Sequence, residues 1–388
     1  MNRTIIDIHI LQTVPPSNVN RDDTGSPKTA IFGGTRRARV SSQAWKRSTR
    51  LAFDDLLDRN ELGVRTKRVV EFVADAIEVK RPDLSQTAYA LAEAIVTSTG
   101  IKLEKSTRVR KDETAHQDIG YLVFLSRLQI EHLADAALEA APDGDPAALK
   151  GFKGKSLLDR DHSLDLALFG RMVADVADLN VDASAQVAHA LSVHTVDNEY
   201  DYFTAVDDAK RESEDEDADA GAAMIGTVEF NSSTLYRYAT VDANRLLDNL
   251  GDAAATRRGV EAFIQAFVES MPTGKQNTFA NRTLPDAVVV TLRDRLPINL
   301  VGAFEEPVVA DGQRSRVAVA SEALVTRARD VQNDLGQHPV ATWVLGVGAA
   351  KDALTTAIGT DDGWTWTTLT ELPAQVGAGV AERLDDTP

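Results

Sequence analysis

The residues best suited to chemistry lie between Thr24 and Phe53, a segment that contains seven Lys or Arg and no Asp or Glu. The chain as a whole has a net charge of -17, so this segment is a basic island in an acidic sequence. Its cations are Lys28, Arg36, Arg37, Arg39, Lys46, Arg47 and Arg50. Concentrated positive charge predicts one bounded surface for an anion, while a solvated basic helix face is the alternative interpretation.

The residues between these cations indicate that the anion carries phosphates. Gly33 and Gly34 allow the backbone to approach a ligand closely. Ser41 or Ser42 can cap a helix that runs to about Leu57. The start of such a helix offers free N–H groups and the positive end of its dipole, both of which attract phosphate. The segment is therefore predicted to form a track for a sugar-phosphate backbone.

The predicted helix has two faces. Lys46 and Arg50 are four residues apart and share its exposed face, with Arg47 beside them. The opposite face is expected to pack on the core through Ala44, Leu51, Ala52 and Leu56.

Other chemistries have little support. A phosphate-binding loop of the nucleotide hydrolases would need a glycine five residues before Gly274, where the sequence has Glu269. The chain has no Cys, which excludes disulfides and thiolate sites, and its seven His are scattered. We therefore predict no metal and no cofactor. A nuclease would need a general base beside the track, and the only His expected there is His9.

A second candidate site contains aromatic residues, Tyr202 and Phe203, followed by Thr204 and an acidic run from Asp207 to Asp219. Exposed aromatic rings stack on unpaired bases at about 1–3 kcal/mol per base. By residue type alone, core packing is the favoured interpretation of both rings, and also of Met172. The acidic run is predicted to be a solvated loop.

The elements that position these residues form an α+β pattern. Thr4 to Leu11 alternates as a half-buried strand, Pro15 to Pro27 is rich in loop formers, and Asn60 to Leu158 is mostly helical. Thr227 to Val241, a helix around Phe263, and Ala287 to Leu292 then form a strand, helix, strand unit. A ferredoxin-like core interrupted by insertions is predicted. No apolar run is long enough for a membrane helix, so we expect a cytoplasmic protein that contacts no membrane.

Several short blocks occur in the order found in a known family. They are Asn20-Arg21-Asp22-Asp23, Ala30 to Arg50, Gly170-Arg171-Met172, Tyr202 to Asp208, Phe230 with Tyr236-Arg237-Tyr238, and Gly274-Lys275-Gln276. On these residues the chain resembles the CasC backbone subunit of type I-E CRISPR Cascade complexes. The resemblance spans roughly residues 4 to 308, and its longest block is the basic one.

The resemblance implies a hand-shaped protein with a ferredoxin-like, RRM-like palm, helical fingers and a β-hairpin thumb. The implied ranges are 1–59 for the first part of the palm, 60–160 for the fingers, 161–194 for palm, 195–226 for the thumb and 227–388 for the rest of the palm. It also implies a non-catalytic subunit that lies in several copies along a CRISPR RNA. Its expected partners are that RNA, target DNA paired with the guide, other copies of itself and other Cascade subunits.

The resemblance also implies which residues contact RNA. Those expected on the backbone track are Asn20, Arg21, Lys28, Ser41, Ser42, Gln43, Lys46, Arg47, Arg50, Lys275 and Gln276. Those expected at kinked nucleotides are Met172, Tyr202, Phe203 and Thr204. The family often has Trp where this chain has Tyr202, although a phenol ring still offers a stacking face. An RNA-processing nuclease and a protein-binding scaffold are the alternative functions.

Overall fold

The computed structural model describes residues 3–105, 117–173, 175–205, 224–360 and 363–385. The acidic run that was predicted to be a solvated loop, Asp207 to Asp219, lies outside these residues.

The described part of the chain contains both β-strands and α-helices. Its strands are β1 (Ile5–Ser17), β2 (Thr29–Phe32), β3 (Thr35–Val40), β4 (Gly63–Thr66), β5 (Leu103–Lys105), β6 (Gln117–Ile119), β7 (Val123–Ser126), β8 (Ala185–Val187), β9 (Ala190–Ser192), β10 (Glu199–Ala205), β11 (Met224–Asp242), β12 (Ala287–Arg293), β13 (Ala341–Gly346) and β14 (Trp364–Trp366). Its α-helices are α1 (Ser42–Ala52), α2 (Val69–Lys80), α3 (Ala88–Ser98), α4 (Arg127–Ala140), α5 (Leu164–Phe169), α6 (Ala243–Leu250), α7 (Ala253–Glu269), α8 (Gln276–Phe279), α9 (Arg316–Leu335), α10 (Gly348–Ile358) and α11 (Leu372–Asp385). None of these helices is long and apolar enough to cross a membrane.

One large sheet organises the fold. Its strand order is β14-β13-β12-β1-β11-β9-β3-β2, and β8 and β10 also pair with β11. Strand β1 pairs antiparallel with β11 on one side and with β12 on the other. This mixture of a large sheet with packed helices confirms the predicted α+β class, while the ferredoxin-like arrangement stays a prediction.

Strand β1 is buried on both faces, so the prediction of a half-buried strand was wrong. Ile6, Ile8 and Ile10 pack into a cluster with residues of α1, α7 and α11. On the other face, Asp7 and His9 are fully buried. They are covered because apolar residues of α9 and α10 form a second cluster on that side. The alternation of β1 therefore separates two cores rather than a core from solvent.

Helix α1 docks on the sheet mainly through Trp45, a residue that was not among those predicted to face the core. Trp45 is fully buried, with the Arg237 guanidinium 3.8 Å from its ring centroid and the Phe267 ring 6.5 Å away. Leu51, which was predicted to face the core, is 43% exposed. Ala44, Ala52 and Leu56 do pack against the core cluster, though they are only partly buried. The core contact of α1 is therefore carried by one large ring.

Helices α2, α3 and α4 form a separate apolar cluster with the strand β7 and the chain up to Leu179. The largest contributors include Val73, Ile77, Leu91, Ile95 and Leu133, which are at most 1% exposed. This part of the chain leaves the main sheet after α1 and returns to it at β8.

Strands β10 and β11 form a hairpin beyond the edge of the β1–β11 ladder. Residues Glu199–Ala205 pair with 224–230 of β11, while 231–242 of the same strand pair with β1. The base of the hairpin is fixed by Asn18, whose Nδ2 donates to the carbonyl oxygens of Glu229 and Gly25, both at 3.0 Å. The hairpin and the central sheet therefore share one continuous strand.

Candidate nucleic-acid interface

The start of α1 is capped by side chains from two other segments. The Ser41 hydroxyl accepts from the Ala44 N–H at 3.3 Å, as the cap prediction requires. The Ser42 N–H donates to Nδ1 of His189 at 3.1 Å. Asn20 Oδ1 accepts from the Ser41 N–H at 2.9 Å. The expectation that this helix start offers free N–H groups was therefore wrong for Ser42 and Ala44.

The loop before β2 carries further predicted residues into the same place. The Lys28 N–H donates to the Asn20 carbonyl at 2.9 Å, and the Arg39 N–H donates to the Lys28 carbonyl at 2.8 Å. Asn20 therefore joins Lys28 to Ser41, and Arg21 is exposed next to it. These hydrogen bonds hold the loop next to α1.

Lys275 and Gln276 lie beside the same loop. A Cβ on Gly274 would lie 2.0 Å from the Val19 carbonyl oxygen, so only glycine allows this approach. Lys275 has a φ of 51°, which turns the chain into α8. The Phe279 ring at the end of α8 is 5.9 Å from that of Phe230 in β11.

The cations of the basic segment and the neighbouring Arg21 have no acidic partner among the described residues. Arg21, Arg36 and Arg47 are exposed, whereas Lys28, Arg39, Lys46 and Arg50 are half-buried. None of these residues forms an ion pair with a carboxylate of the described residues. Burial lowers the pKa of Lys46. Unpaired cations that also lose hydration are costly, and a bound anion would offset that cost.

Arg37 also lacks an acidic partner, but it does not lie at the surface. It is fully buried and donates to the carbonyl oxygens of Ser192, Phe304 and Glu305 at 2.9–3.0 Å. Burial lowers the pKa of its guanidinium. The prediction that placed Arg37 on the phosphate track was therefore wrong, since this residue holds the 304–305 backbone against the β2–β3 hairpin.

The aromatic residues of the hairpin differ in exposure. Tyr202 is 63% exposed and Phe203 is 37% exposed, so core packing was the wrong interpretation for Tyr202. Phe203 covers Gly226 on the paired strand, where an added Cβ would lie 2.4 Å from its Cζ. Thr204 is also exposed and lies on the same side of β10 as Tyr202.

The two residues before Met172 fix the position of the chain at this place. Gly170 has a φ of 77°, and a Cβ there would lie 2.8 Å from the Val181 carbonyl oxygen. Arg171 is buried and donates to the carbonyl oxygens of Leu179 at 2.6 Å and Leu158 at 2.7 Å. Burial lowers its pKa to about 10. Met172 itself is 81% exposed, so it is not a core residue of the free chain.

The histidine beside the track is His189, which the sequence did not indicate. His189 is exposed, and the charges of Arg39 and Lys28 add to desolvation in lowering its pKa. His9, the His expected at this place, is fully buried between Tyr236 and Tyr238, and burial lowers its pKa to about 3. The sequence could not indicate His189 because strand β9 brings it to α1 from 147 residues away.

The predicted residues therefore form one joined group and two outlying ones. Asn20, Arg21, Lys28, Ser41, Ser42, Gln43 and Lys46 lie around the capped start of α1, and Lys275 and Gln276 lie beside the loop that contains Asn20. Arg47 and Arg50 lie further along α1, with Arg50 in its last turn. Tyr202, Phe203 and Thr204 lie on the β10–β11 hairpin, and Met172 follows α5. Whether all of them contact one ligand stays a prediction.

This chain is similar in sequence to a known protein family. A model of the CT1975-like protein family matches residues 6–372. The chain belongs to this family. Two solved structures are similar to this CT1975-like chain. One, described as a CRISPR RNA-guided surveillance complex, pre-nicking, is 32% identical with a TM-score of 0.80, and the match covers 97% of this chain and 99% of that chain.

The second, described as a CRISPR RNA-guided surveillance complex, is 29% identical with a TM-score of 0.70, and the match also covers 97% of this chain and 99% of that chain. The comparison with curated proteins gives no match. The predicted resemblance is therefore confirmed at the level of the family, while the type I-E subtype stays a prediction.

Proposed function

We propose that this CT1975-like chain is the non-catalytic backbone subunit of a type I-E CRISPR Cascade complex. Several copies assemble along one CRISPR RNA in the cytoplasm and hold its sugar-phosphate backbone. The observation that carries the proposal is the group of unpaired cations around the capped start of α1, in a chain that matches a surveillance-complex subunit over 97% of its length.

Backbone binding suits these residues because phosphate contacts are electrostatic and independent of sequence. The cations lie on one loop, on strand β3 and on helix α1, and none of them forms an ion pair with a described carboxylate. A protein that holds only the backbone leaves the bases free to pair with target DNA, which then reads the sequence.

The sheet supports a ferredoxin-like palm. Strands β12, β1, β11 and β8 are neighbours in that order, and α1 and α7 pack on the same face through Trp45 and Phe267. In chain order these elements alternate as strand, helix, strand, strand, helix, strand. We propose that α2 to α4 are the fingers and that the β10–β11 hairpin is the thumb.

Assembly along RNA needs a contact between different surfaces of neighbouring copies. Such a head-to-tail contact repeats until the RNA or another subunit ends it. Other Cascade subunits are proposed as the partners at the two ends, and target DNA joins through the guide.

The test is purification at low salt, alone and after co-expression with a CRISPR RNA. We expect uncut RNA of defined length to copurify, protected along its spacer. Nucleic-acid-free protein under both conditions would support the protein-binding alternative instead. RNA that is cut by the wild type but not by a His189→Ala variant would establish a nuclease, since His9 is buried and cannot act at the surface.

A further inference from the structure

His189 lies at the basic surface because of the pairing between β3 and β9. Arg39 is opposite Leu191 and Val40 is opposite Ala190 in this antiparallel pair. One more step along the same register brings His189 beside Ser41 and the first turn of α1. The 3.1 Å hydrogen bond from the Ser42 N–H to Nδ1 fixes the ring there.

That hydrogen bond also fixes the tautomer of the ring. A nitrogen that accepts a hydrogen bond carries no proton, so the proton of the neutral imidazole must be on Nε2. Protonating Nδ1 would remove the cap of Ser42. In the free protein, His189 therefore combines a fixed orientation with one N–H donor, and no other described residue accepts a hydrogen bond from that donor.

The surroundings of His189 favour an anion as the acceptor. Lys28 and Arg39 are the charged groups that act on this ring, and both lower its pKa. Neither cation forms an ion pair with a described carboxylate, and the side chain of Arg39 donates only to the Thr29 carbonyl, at 3.2 Å. Three donor residues therefore lie near one another, with His189 exposed, and no described acid neutralises them.

We propose that His189 contacts the RNA directly, donating its Nε2–H to a phosphodiester oxygen held between Lys28 and Arg39. This inference rests on the proposed function, because it assigns an additional residue to the same backbone-binding surface. The contact is made by the neutral ring, so it strengthens binding without releasing a counterion. His189 is thus a positioning donor rather than another charge.

The experiment measures the affinity of the full-length protein for a short single-stranded RNA that leaves no room for a second copy. His189→Ala is expected to weaken binding about tenfold, the size of one lost hydrogen bond to a charged group. His189→Gln, which keeps an acceptor for Ser42 and a donor for the phosphate, is expected to restore most of the affinity. His338→Ala, another exposed histidine, is the matched control and should bind as the wild type.

The salt dependence separates a neutral donor from a charge. The slope of log affinity against log salt should be unchanged in His189→Ala, whereas Lys28→Gln should lower it by about 0.7. Repeating the comparison with 2′-fluoro RNA should give the same tenfold loss, because the phosphates remain.

Three results would overturn the assignment. His189→Ala could bind within twofold of the wild type while its melting temperature falls, which would make His189 only a helix cap. Its salt slope could fall as in Lys28→Gln, which would make the ring a cation. The loss could vanish with 2′-fluoro RNA, which would make the 2′-hydroxyl the partner. By contrast, a wild type that binds no RNA would refute the proposed function itself.

Discussion

The cations of α1 have different surroundings, and these decide what each substitution should change. Arg47 is exposed, with no ion-pair partner among the described residues. Arg50 is half-buried, its guanidinium lies 5.5 Å from the centroid of the Phe124 ring, and its charge acts on buried Asp165. Arg50 can therefore stabilise the free protein as well as bind RNA.

We expect Arg47→Gln to lower the salt slope of RNA binding by about 0.7 without changing protein stability. Arg50→Gln should lower the slope similarly and also reduce the free energy of unfolding by about 0.5–1 kcal/mol, the contribution of an exposed cation–π contact. Titrations at several salt concentrations and urea denaturation measure the two effects. Arg257→Gln, on α7 and paired with Glu261, is the control for losing a surface charge. An unchanged slope in Arg47→Gln would remove that residue from the site.

Tyr202 and Phe203 are adjacent but should respond differently to substitution. Tyr202→Ala removes an exposed ring, so the free energy of unfolding should change by less than about 0.5 kcal/mol. Phe203→Ala uncovers Gly226 and should cost more. If Tyr202 stacks at a kinked nucleotide, its loss should alter the chemical footprint of the bound RNA. A Tyr202→Ala protein that unfolds more easily than Phe203→Ala would restore the core interpretation.

The sequence predicts where cations concentrate but not which of them face solvent. Arg37, Arg171 and Arg237 are all buried, and each donates to backbone carbonyls. The carbonyls that Arg37 and Arg237 bind come from distant segments, and those that Arg171 binds lie in the turns at Leu158 and Leu179, so no periodic pattern indicates them. The same reason hides His189, whose position depends on strand pairing across the sheet.

At the scale of elements, Gly33 and Gly34 form the turn of the β2–β3 hairpin and offer a matched pair. Both have positive φ values, 56° and 75°. A Cβ on Gly33 would lie 1.7 Å from the Glu305 carbonyl oxygen, whereas a Cβ on Gly34 would meet open space. Only Gly33 therefore permits the close approach of the hairpin to the 304–305 backbone.

We expect Gly34→Ala to cost about 1–2 kcal/mol, the strain of a left-handed residue. Gly33→Ala should cost about 1–3 kcal/mol more, because the hairpin must also move away from Glu305. Urea denaturation of both variants measures the difference. Equal losses in the two variants would mean that the contact with Glu305 contributes nothing to stability.

The elements that were predicted well are those with a strong period. Strand β12 and the apolar face of α7 follow directly from alternation and from helical spacing, and Val260, Phe263 and Phe267 are fully buried. The core face of α1 was predicted only in part: Ala44, Ala52 and Leu56 pack on the core, whereas Leu51 is exposed and the buried Trp45 was missed. Strands β13 and β14 were not predicted, because they are short and form by pairing at the edge that β12 provides.

At the scale of the whole molecule, burial of His9 makes stability depend on pH. Its pKa is lowered from 6.5 to about 3, so the unfolded chain takes up a proton at a pH where the folded chain does not. The free energy of unfolding should therefore fall as pH falls from about 6.5 towards 3, by up to about 1.4 kcal/mol per pH unit for this one proton. His194, whose pKa is lowered to about 4, acts in the same direction.

Urea denaturation between pH 7.5 and 5 tests this dependence. His9→Phe keeps an aromatic ring between Tyr236 and Tyr238 but removes the titrating group. We expect the free energy of unfolding of this variant to fall less steeply as the pH falls. Its slope should correspond to about one proton fewer taken up on unfolding than in the wild type. Parallel curves for the two proteins would show that His9 is not the linked residue.

The length and pairing of strand β11 determine how the protein should respond to a pulling force. Its 19 residues form one half of the hairpin and then run beside β1 through the centre of the sheet. At about 3.3 Å per residue, a strand of this length spans about 60 Å. A pull on the hairpin directed along the strand would load the hydrogen bonds between β11 and β1 in shear, all at the same time. A pull across the strand would open them one after another, so the protein should resist stretching along this axis far better than peeling.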